Sequence, residues 1–156
     1  MTELAIKPEV AERRAEVRAF MEEHVYPNEA ALAREDESSD ALIAELRAKA
    51  KAAGIWAPHL PPEAGGTGSG FIEYALLNEE IGRSMWAQLV FNCQAPDAGN
   101  GEILHMFGTD EQKDRFLRPL VEGDRALVLL DDRARGLRGR PDRACGRPRC
   151  RTATSG

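Results

Sequence analysis

The side chains best suited to metal binding or nucleophilic chemistry are a small set of histidines and cysteines. They are His24, His59, His105, Cys93, Cys145 and Cys150. Their spacings do not match the closely paired ligands of zinc sites, and the pair Cys145 and Cys150 has no second pair beside it. We therefore predict no metal site and interpret the histidines as ordinary surface or half-buried residues. No local Ser-His-Asp pattern indicates a hydrolase either.

Adjacent acids and a run of glycines offer two further candidates. Glu79 and Glu80 lie together on a predicted helix, a pattern typical of a solvated edge. Residues 65–70 are rich in glycine, but a phosphate-binding loop follows a strand and ends in Lys followed by Ser or Thr. Here the preceding residues are rich in proline and Phe71 follows directly. We interpret the segment as a turn into the next helix, which we expect to be capped near Ser69.

Apolar residues at helical spacing predict the elements that position these side chains. Long helices are expected at residues 8–25, 41–53, 71–83, 98–107 and 110–121, and a shorter one at 85–92. Pro27 should end the first helix, Ser39 or Asp40 should cap the second, and Gly54 should close it. Residues 1–123 contain no convincing alternating segment, so the predicted fold class is all-α, an up-and-down helical bundle.

The helix at 71–83 is apolar almost all round, which predicts a central, buried position. The residues expected inside the bundle are Val17, Phe20, Leu46, Ile55, Leu76, Ile81, Leu104, Phe116 and Leu120.

The most informative stretch runs from Asn92 to Asp124. Gly108 suits the left-handed position that closes a helix. Thr109 is a good N-cap and Gln112 falls at the third helical position, which together predict a capping box.

This stretch also carries a family resemblance. The string G-T-D-E-Q-K-x-x-F-L-x-P-L at residues 108–120 closely resembles the end of the N-terminal helical domain of acyl-CoA dehydrogenases. The string N-C-Q-A-P-D-A-G-N at 92–100 resembles the branch that handles longer or unusual acyl chains. The resemblance covers about residues 6–124 and then stops. It implies a helical domain at residues 1–123, followed by a segment of different character at 124–156.

The resemblance implies a chemistry in which a carboxylate takes the α proton of an acyl-CoA and the flavin of FAD takes the β hydride. The carboxylate and the flavin contacts are implied to lie in domains that this chain does not contain. We therefore assign no catalytic and no cofactor-binding residue, and expect this chain alone to bind no FAD. By position, Phe91, Asn92, Ala95 and Gly99 are implied to form one wall of the acyl pocket. The small Ala95 and Gly99 fit a slot for a long chain; a role in helix packing alone is the alternative.

The resemblance also implies partners for the full-length enzyme. These are an acyl-CoA substrate, an electron-transfer flavoprotein, and further copies in a homodimer or homotetramer. The odd number of cysteines, the absence of a basic and apolar leader, and an aliphatic run of only residues 126–130 favour a cytoplasmic protein without a membrane span.

The last residues have a composition of their own. Residues 133–156 contain eight arginines and one aspartate, a local charge of +7 within a chain of net charge −5. Suitable codons for residues 126–140, read one base later, spell RSCFSMTEPEVSGAD, which resembles the flavin-side strand of the family. We therefore interpret residues 124–156 as an out-of-frame remnant, disordered from about Arg133. Two alternatives are a basic arm that binds nucleic acid and a non-catalytic helical subunit that pairs with a separate flavoprotein.

Overall fold

The computed structural model describes residues 6–68 and 70–123, and within these ranges every regular element is helical. The α-helices are α1 (Pro8–Phe20), α2 (Glu29–Leu32), α3 (Glu37–Ala52), α4 (Phe71–Ile81), α5 (Ala87–Val90), α6 (Asp97–Phe107), α7 (Asp110–Gln112) and α8 (Arg118–Glu122). π-helical turns at Met21–Val25 and Lys113–Leu117 extend α1 and join α7 to α8, and short 3-10 turns occupy Tyr26–Asn28 and Pro62–Ala64. The all-α prediction is confirmed. The expectations for Ser69 and for residues 124–156, including Cys145, Cys150 and the disorder from Arg133, lie outside the described residues.

The first helix ends at residue 25 as predicted, where the π turn Met21–Val25 stops, but Pro27 does not end helical structure, because a 3-10 turn leads directly into α2. Proline is harmless in the first turn of a helix, and the side-chain amide of Asn28 donates to the His24 carbonyl at 2.8 Å. Helix α3 starts earlier than predicted, because Asp36 rather than Ser39 or Asp40 accepts the first backbone N–H groups.

The turns after α3 and α6 test two predicted glycine positions. Gly54 has φ +71°, the left-handed geometry expected after α3. Gly108 is extended instead, with φ −69°, and a Cβ there would lie 2.5 Å from the Leu104 carbonyl oxygen. Close packing rather than a left-handed turn therefore requires glycine at this position. The capping box of Thr109 and Gln112 is confirmed.

A single large core joins α1, the π turn after it, α3, α4 and α5. Its fully buried members include Met21, Leu46, Leu77 and Phe91. A smaller cluster of Leu60, Leu117 and Val121 packs the last helices against the proline-rich loop, with the help of Leu104 and Ala64. Among the residues expected inside, Val17, Phe20, Leu46, Ile55, Ile81 and Leu120 are buried.

Three of the expected core residues, Leu76, Leu104 and Phe116, are only half-buried. The reason for Leu76 lies in the orientation of α4, which buries one face and exposes the other. Its neighbour Leu77 takes the core position, while Phe71 at the start of α4 is 80% exposed. The expectation that the helix at 71–83 is buried on all sides was therefore wrong.

Charged side chains form much of the contact between α1 and α4. Glu80, predicted at a solvated edge, has no exposed surface, whereas Glu79 is exposed. One Glu80 oxygen lies 2.9 Å from Nε of Arg14 and 2.6 Å from Nη2 of Arg18, and the other lies 3.3 Å from Nε of Arg83. Hydrogen bonds from Arg18 and Arg14, together with the charges of Arg18 and Arg83, lower the pKa of Glu80 to about 2, against the opposing effect of burial. A second pair joins α1 to α4, with 2.8 Å between Arg13 and Glu73.

The orientation of α4 leads to a stability prediction. Leu77→Ala should lower the free energy of unfolding by about 2–5 kcal/mol, because it leaves a cavity in a fully buried position. Leu76→Ala is the matched control, and its half-buried side chain should lose clearly less. Urea denaturation of the two variants measures the difference. Equal losses, or a larger loss for Leu76→Ala, would contradict the observed orientation.

The buried carboxylate of Glu80 leads to a prediction about acid stability. Its folded-state pKa of about 2 is below the ordinary value of 4.5, so its contribution is complete above pH 4.5 and is lost as the pH falls toward 2. Glu80→Gln should therefore destabilise the chain at pH 7, by about 1–3 kcal/mol, and should flatten the fall in stability between pH 4.5 and 2. Glu79→Gln, an exposed control on the same helix, should do neither. If Glu80→Gln left the dependence of stability on pH unchanged between pH 4.5 and 2, the lowered pKa assigned to Glu80 would be contradicted.

Candidate functional site

The four residues expected to form a pocket wall lie on one continuous segment between α5 and the first turn of α6. Phe91 and Asn92 follow α5 directly, Ala95 lies in the connecting loop, and Gly99 belongs to α6. The structure divides them into two groups. Phe91 and Asn92 are buried, whereas Ala95 and Gly99 are exposed.

Phe91 and Asn92 face the interior of the described domain. The ring of Phe91 lies 5.3 Å from that of Phe20 in the main core, and its carbonyl accepts a hydrogen bond from the backbone N–H of Ala57 at 3.0 Å. Asn92 has φ +56°, a left-handed geometry that asparagine tolerates better than most residues. Its side-chain amide donates to the Leu120 carbonyl at 3.1 Å. Their side chains support the segment from beneath.

Ala95 and Gly99 begin an exposed apolar surface on α6. A Cβ atom built on Gly99 would meet no atom within 4 Å, so the space above this position is open. Ile103 and Phe107 continue the surface at intervals of four residues, and Phe107 is 76% exposed. With Met106 beside them, these residues form what we call the α6 strip: Ala95, Gly99, Ile103, Met106 and Phe107. Ala95 and Gly99 have the smallest side chains of the strip.

Three buried or half-buried polar side chains of this region, Tyr74, Cys93 and His59, have shifted pKa values. Burial raises the pKa of the Cys93 thiol to about 12 and that of Tyr74 to about 12, and the two side chains share a hydrogen bond. Burial lowers the pKa of His59, whose ring lies 6.0 Å from that of Tyr74, to about 4. Cys93 is therefore a thiol rather than a reactive thiolate, and His59 is a neutral imidazole.

Acid–base chemistry is not supplied by the buried carboxylates of the described residues. Glu73 and Glu80 are committed to arginines of α1, and Asp97 accepts a hydrogen bond from the side chain of Gln94 at 2.8 Å. Residues 6–68 and 70–123 also contain no group of three His, Cys, Asp or Glu side chains that could hold a metal. What this surface can do is pack against an apolar chain and exclude water from it.

The glycine-rich segment does not have the geometry of a phosphate loop. The N–H groups of Gly66 and Gly68 already donate to the carbonyls of Pro61 and Leu60, at 3.1 and 2.9 Å. Cβ atoms on either glycine would lie 2.2 Å from a carbonyl oxygen of the proline-rich loop. These glycines allow two backbone segments to pack closely and present no cradle that fits the phosphates of FAD.

Two concave regions lie away from the four wall residues. A groove of about 850 Å³ runs between the end of α3, the Pro62–Ala64 turn and the last helices, with an apolar floor that includes Trp56 and Val121. A cavity of about 230 Å³ is lined by His59, Glu102 and His105, and it touches the α6 strip at Met106. Sequence reasoning pointed to neither. No helix of the described ranges is both long and apolar enough to cross a membrane.

Comparison with known proteins agrees with this geometry. The family model for the acyl-CoA dehydrogenase N-terminal domain matches residues 7–124. The chain is 44% identical over 128 residues to acyl-CoA dehydrogenase family member 10 of Mus musculus, covering 76% of this chain and 12% of that protein. It is 41% identical over 129 residues to the probable acyl-CoA dehydrogenase FadE2 of Mycobacterium tuberculosis, covering 78% of this chain and 31% of that protein.

A solved structure supports the same assignment. The structure of an acyl-CoA dehydrogenase family protein from Mycobacterium abscessus matches with a TM-score of 0.66 and 43% identity, covering 78% of this chain and 33% of that one. The chain therefore spans between about an eighth and a third of the length of these relatives. The match over residues 7–124 and the all-helical structure place the chain in the acyl-CoA dehydrogenase family, within that family's N-terminal domain.

Proposed function

We propose that this chain is the N-terminal part of an FAD-dependent acyl-CoA dehydrogenase, and that it supplies one wall of a pocket for a long acyl chain. The observation that carries the proposal is the α6 strip, an apolar surface that no described residue covers above Gly99. Isolated apolar side chains are common on protein surfaces, but a contiguous strip is typical of a binding or contact surface.

The strip suits an acyl chain better than the polar end of a substrate. Ala95 and Gly99 leave room for methylene groups, and each methylene removed from water contributes about 0.8 kcal/mol. Phe91 and Asn92 act one layer deeper, where they hold the backbone of the wall in place. The four residues of the predicted wall thus divide into two that face the substrate and two that support them.

The chemical step belongs to groups outside the described residues. FAD supplies the hydride acceptor when it is bound, and the glycine-rich segment presents no cradle for its phosphates. The proposal places the α-proton base outside this segment as well, because the buried carboxylates described here are already paired. For the full-length enzyme, the proposal includes acyl-CoA as substrate and an electron-transfer flavoprotein as partner. It also includes assembly with further copies of the enzyme and a cytoplasmic location.

A chimera tests the proposed wall. Residues 7–123 replace the matching N-terminal segment of the Mycobacterium abscessus protein, and the product is assayed for bound FAD and for dye reduction with palmitoyl-CoA and butyryl-CoA. Gly99→Leu should lower kcat/KM for palmitoyl-CoA by about tenfold or more relative to butyryl-CoA, because the new side chain fills the open slot.

Ala44→Leu, at an exposed position of α3 away from the strip, is the control and should leave this ratio unchanged. A Gly99→Leu chimera with an unchanged preference between the two acyl chains would contradict the wall. The unaltered 156-residue chain serves as the blank, since it should carry no stoichiometric FAD and reduce no dye. A yellow preparation of it would contradict the placement of the flavin contacts outside this segment.

The interpretation of residues 124–156 as an out-of-frame remnant has its own test. Nucleotide sequencing across the codons of Asp124 and Arg125 should show that a shift of one base opens a long reading frame that continues the family resemblance. A frame that stays closed after the shift would contradict the interpretation and would favour a genuine basic segment.

A further inference from the structure

We infer that Arg47 and Asn92 are positioning residues that join the proposed pocket wall to the carboxyl end of α8, so that the wall and the exit of the chain at Gly123 form one rigid unit. The inference rests on the proposed function for its meaning, but its geometry and its test do not depend on acyl-CoA or flavin.

The first observation is that side chains from other elements bind the last carbonyls of α8. A helix leaves its final carbonyl groups without partners inside the helix. Here Leu120 accepts from Asn92 at 3.1 Å, and Val121 accepts from the indole of Trp56 at 2.8 Å. Glu122 accepts from Lys51 at 2.7 Å, and Gly123 accepts from Arg47 at 3.5 Å. We call these four donors the α8 clamp: Arg47, Lys51, Trp56 and Asn92.

Arg47 connects the clamp to both ends of the wall segment. Its Nε donates to the Leu89 carbonyl at 2.9 Å, next to the last residue of α5. Burial lowers the pKa of Arg47, and the charge of Asp97, the first residue of α6, opposes this shift. One guanidinium group therefore donates to the carbonyl of Leu89 before Phe91 and to the carbonyl of Gly123, and it also lies within the electrostatic influence of the start of α6.

Asn92 makes the same connection from the middle of the wall segment. Its left-handed backbone directs the side chain inward to α8, and the neighbouring Phe91 carbonyl is held by Ala57. The bond to Leu120 is buried, so a shift of the segment that breaks it leaves the side-chain amide of Asn92 without this acceptor and away from water. The Leu120 carbonyl also accepts from the N–H of Gly123 at 3.1 Å, so one oxygen connects the wall segment to the residue at which the chain leaves α8.

The exit itself has little freedom. Gly123 has φ +82°, and a Cβ at this position would lie 3.2 Å from the ring of Trp56. The direction in which the chain leaves α8 is thus set by the same group of side chains that holds the wall. In the proposed enzyme, this arrangement fixes the acyl wall relative to the end of α8.

Hydrogen exchange of the 156-residue chain tests the coupling. Asn92→Gly keeps the left-handed backbone and removes the donor, and Arg47→Met keeps the apolar stem of the side chain. In each variant, exchange of the amides of Cys93, Ala98 and Gly123 should rise together, by about two- to tenfold, as expected for one lost hydrogen bond. Amides of α1 and α4 should keep their exchange rates.

The reciprocal change starts at the exit. Gly123→Ala strains the left-handed turn and brings a methyl group close to the ring of Trp56. It should increase the exchange rates of the Cys93 and Ala98 amides, although neither residue belongs to the α8 clamp. Arg118→Met, which removes an exposed ion pair between α8 and Asp114 of the preceding π turn, is the control and should change neither amide.

Two outcomes would overturn the inference. One is an increase in exchange rate confined to the segment that carries the substitution. In that case the Gly123 amide is unaffected by Asn92→Gly, or the Cys93 amide is unaffected by Gly123→Ala. The other is a uniform rise like that of the core variant Val17→Ala, which would show global destabilisation rather than coupling. Neither outcome bears on acyl-chain preference in the chimera, so failure of this inference is distinguishable from failure of the proposed function.

Discussion

The contact between α1 and α4 depends on a carboxylate that is removed from water. Glu80 has no exposed surface, and its charge is balanced by arginines from α1 and from the end of α4 itself. Removal of a charge from water costs several kcal/mol, and only well-placed hydrogen bonds offset it. This requirement fixes how the two helices are rotated against each other. The rotation places Leu77 in the core and exposes Phe71 and the rest of the outer face of α4.

The same principle, that buried polar groups need partners, organises the other end of the domain. The last carbonyls of α8 are buried against α3 and the loop after α5, and the side chains of Arg47, Trp56 and Asn92 bind them. A helix end that is satisfied in this way is part of the tertiary structure rather than a fraying terminus. The proposed wall belongs to the same polar network, although its outer surface is apolar.

The proposed site separates binding from chemistry. The described residues offer an apolar strip on α6 with an open position at Gly99, while the titratable groups beneath it, Cys93 and His59, are neutral at physiological pH. Such a surface can shield a substrate from water and select its shape. In the proposal, proton removal is assigned to groups outside the described residues.

The sequence alone determined the features that depend on local spacing. The capping box of Thr109 and Gln112 and the left-handed Gly54 follow from chemistry within a few residues. The string at 108–120 was sufficient to indicate the family. The tertiary structure alone decided which of Leu76 and Leu77 is buried, because both lie near the middle of a helix that is apolar on most sides.

Long-range partners decided the rest. Glu80 looked like a solvated acid because the two arginines that donate hydrogen bonds to it, Arg14 and Arg18, lie more than sixty residues away in α1. The family resemblance assigned Asn92 to the pocket wall, and local spacing did not indicate its inward bond, because the acceptor Leu120 lies 28 residues further along the chain. Periodicity and spacing report which residues share a face of one helix. They contain no information on what another helix brings against that face, and the energy of a buried charge or amide depends on that partner.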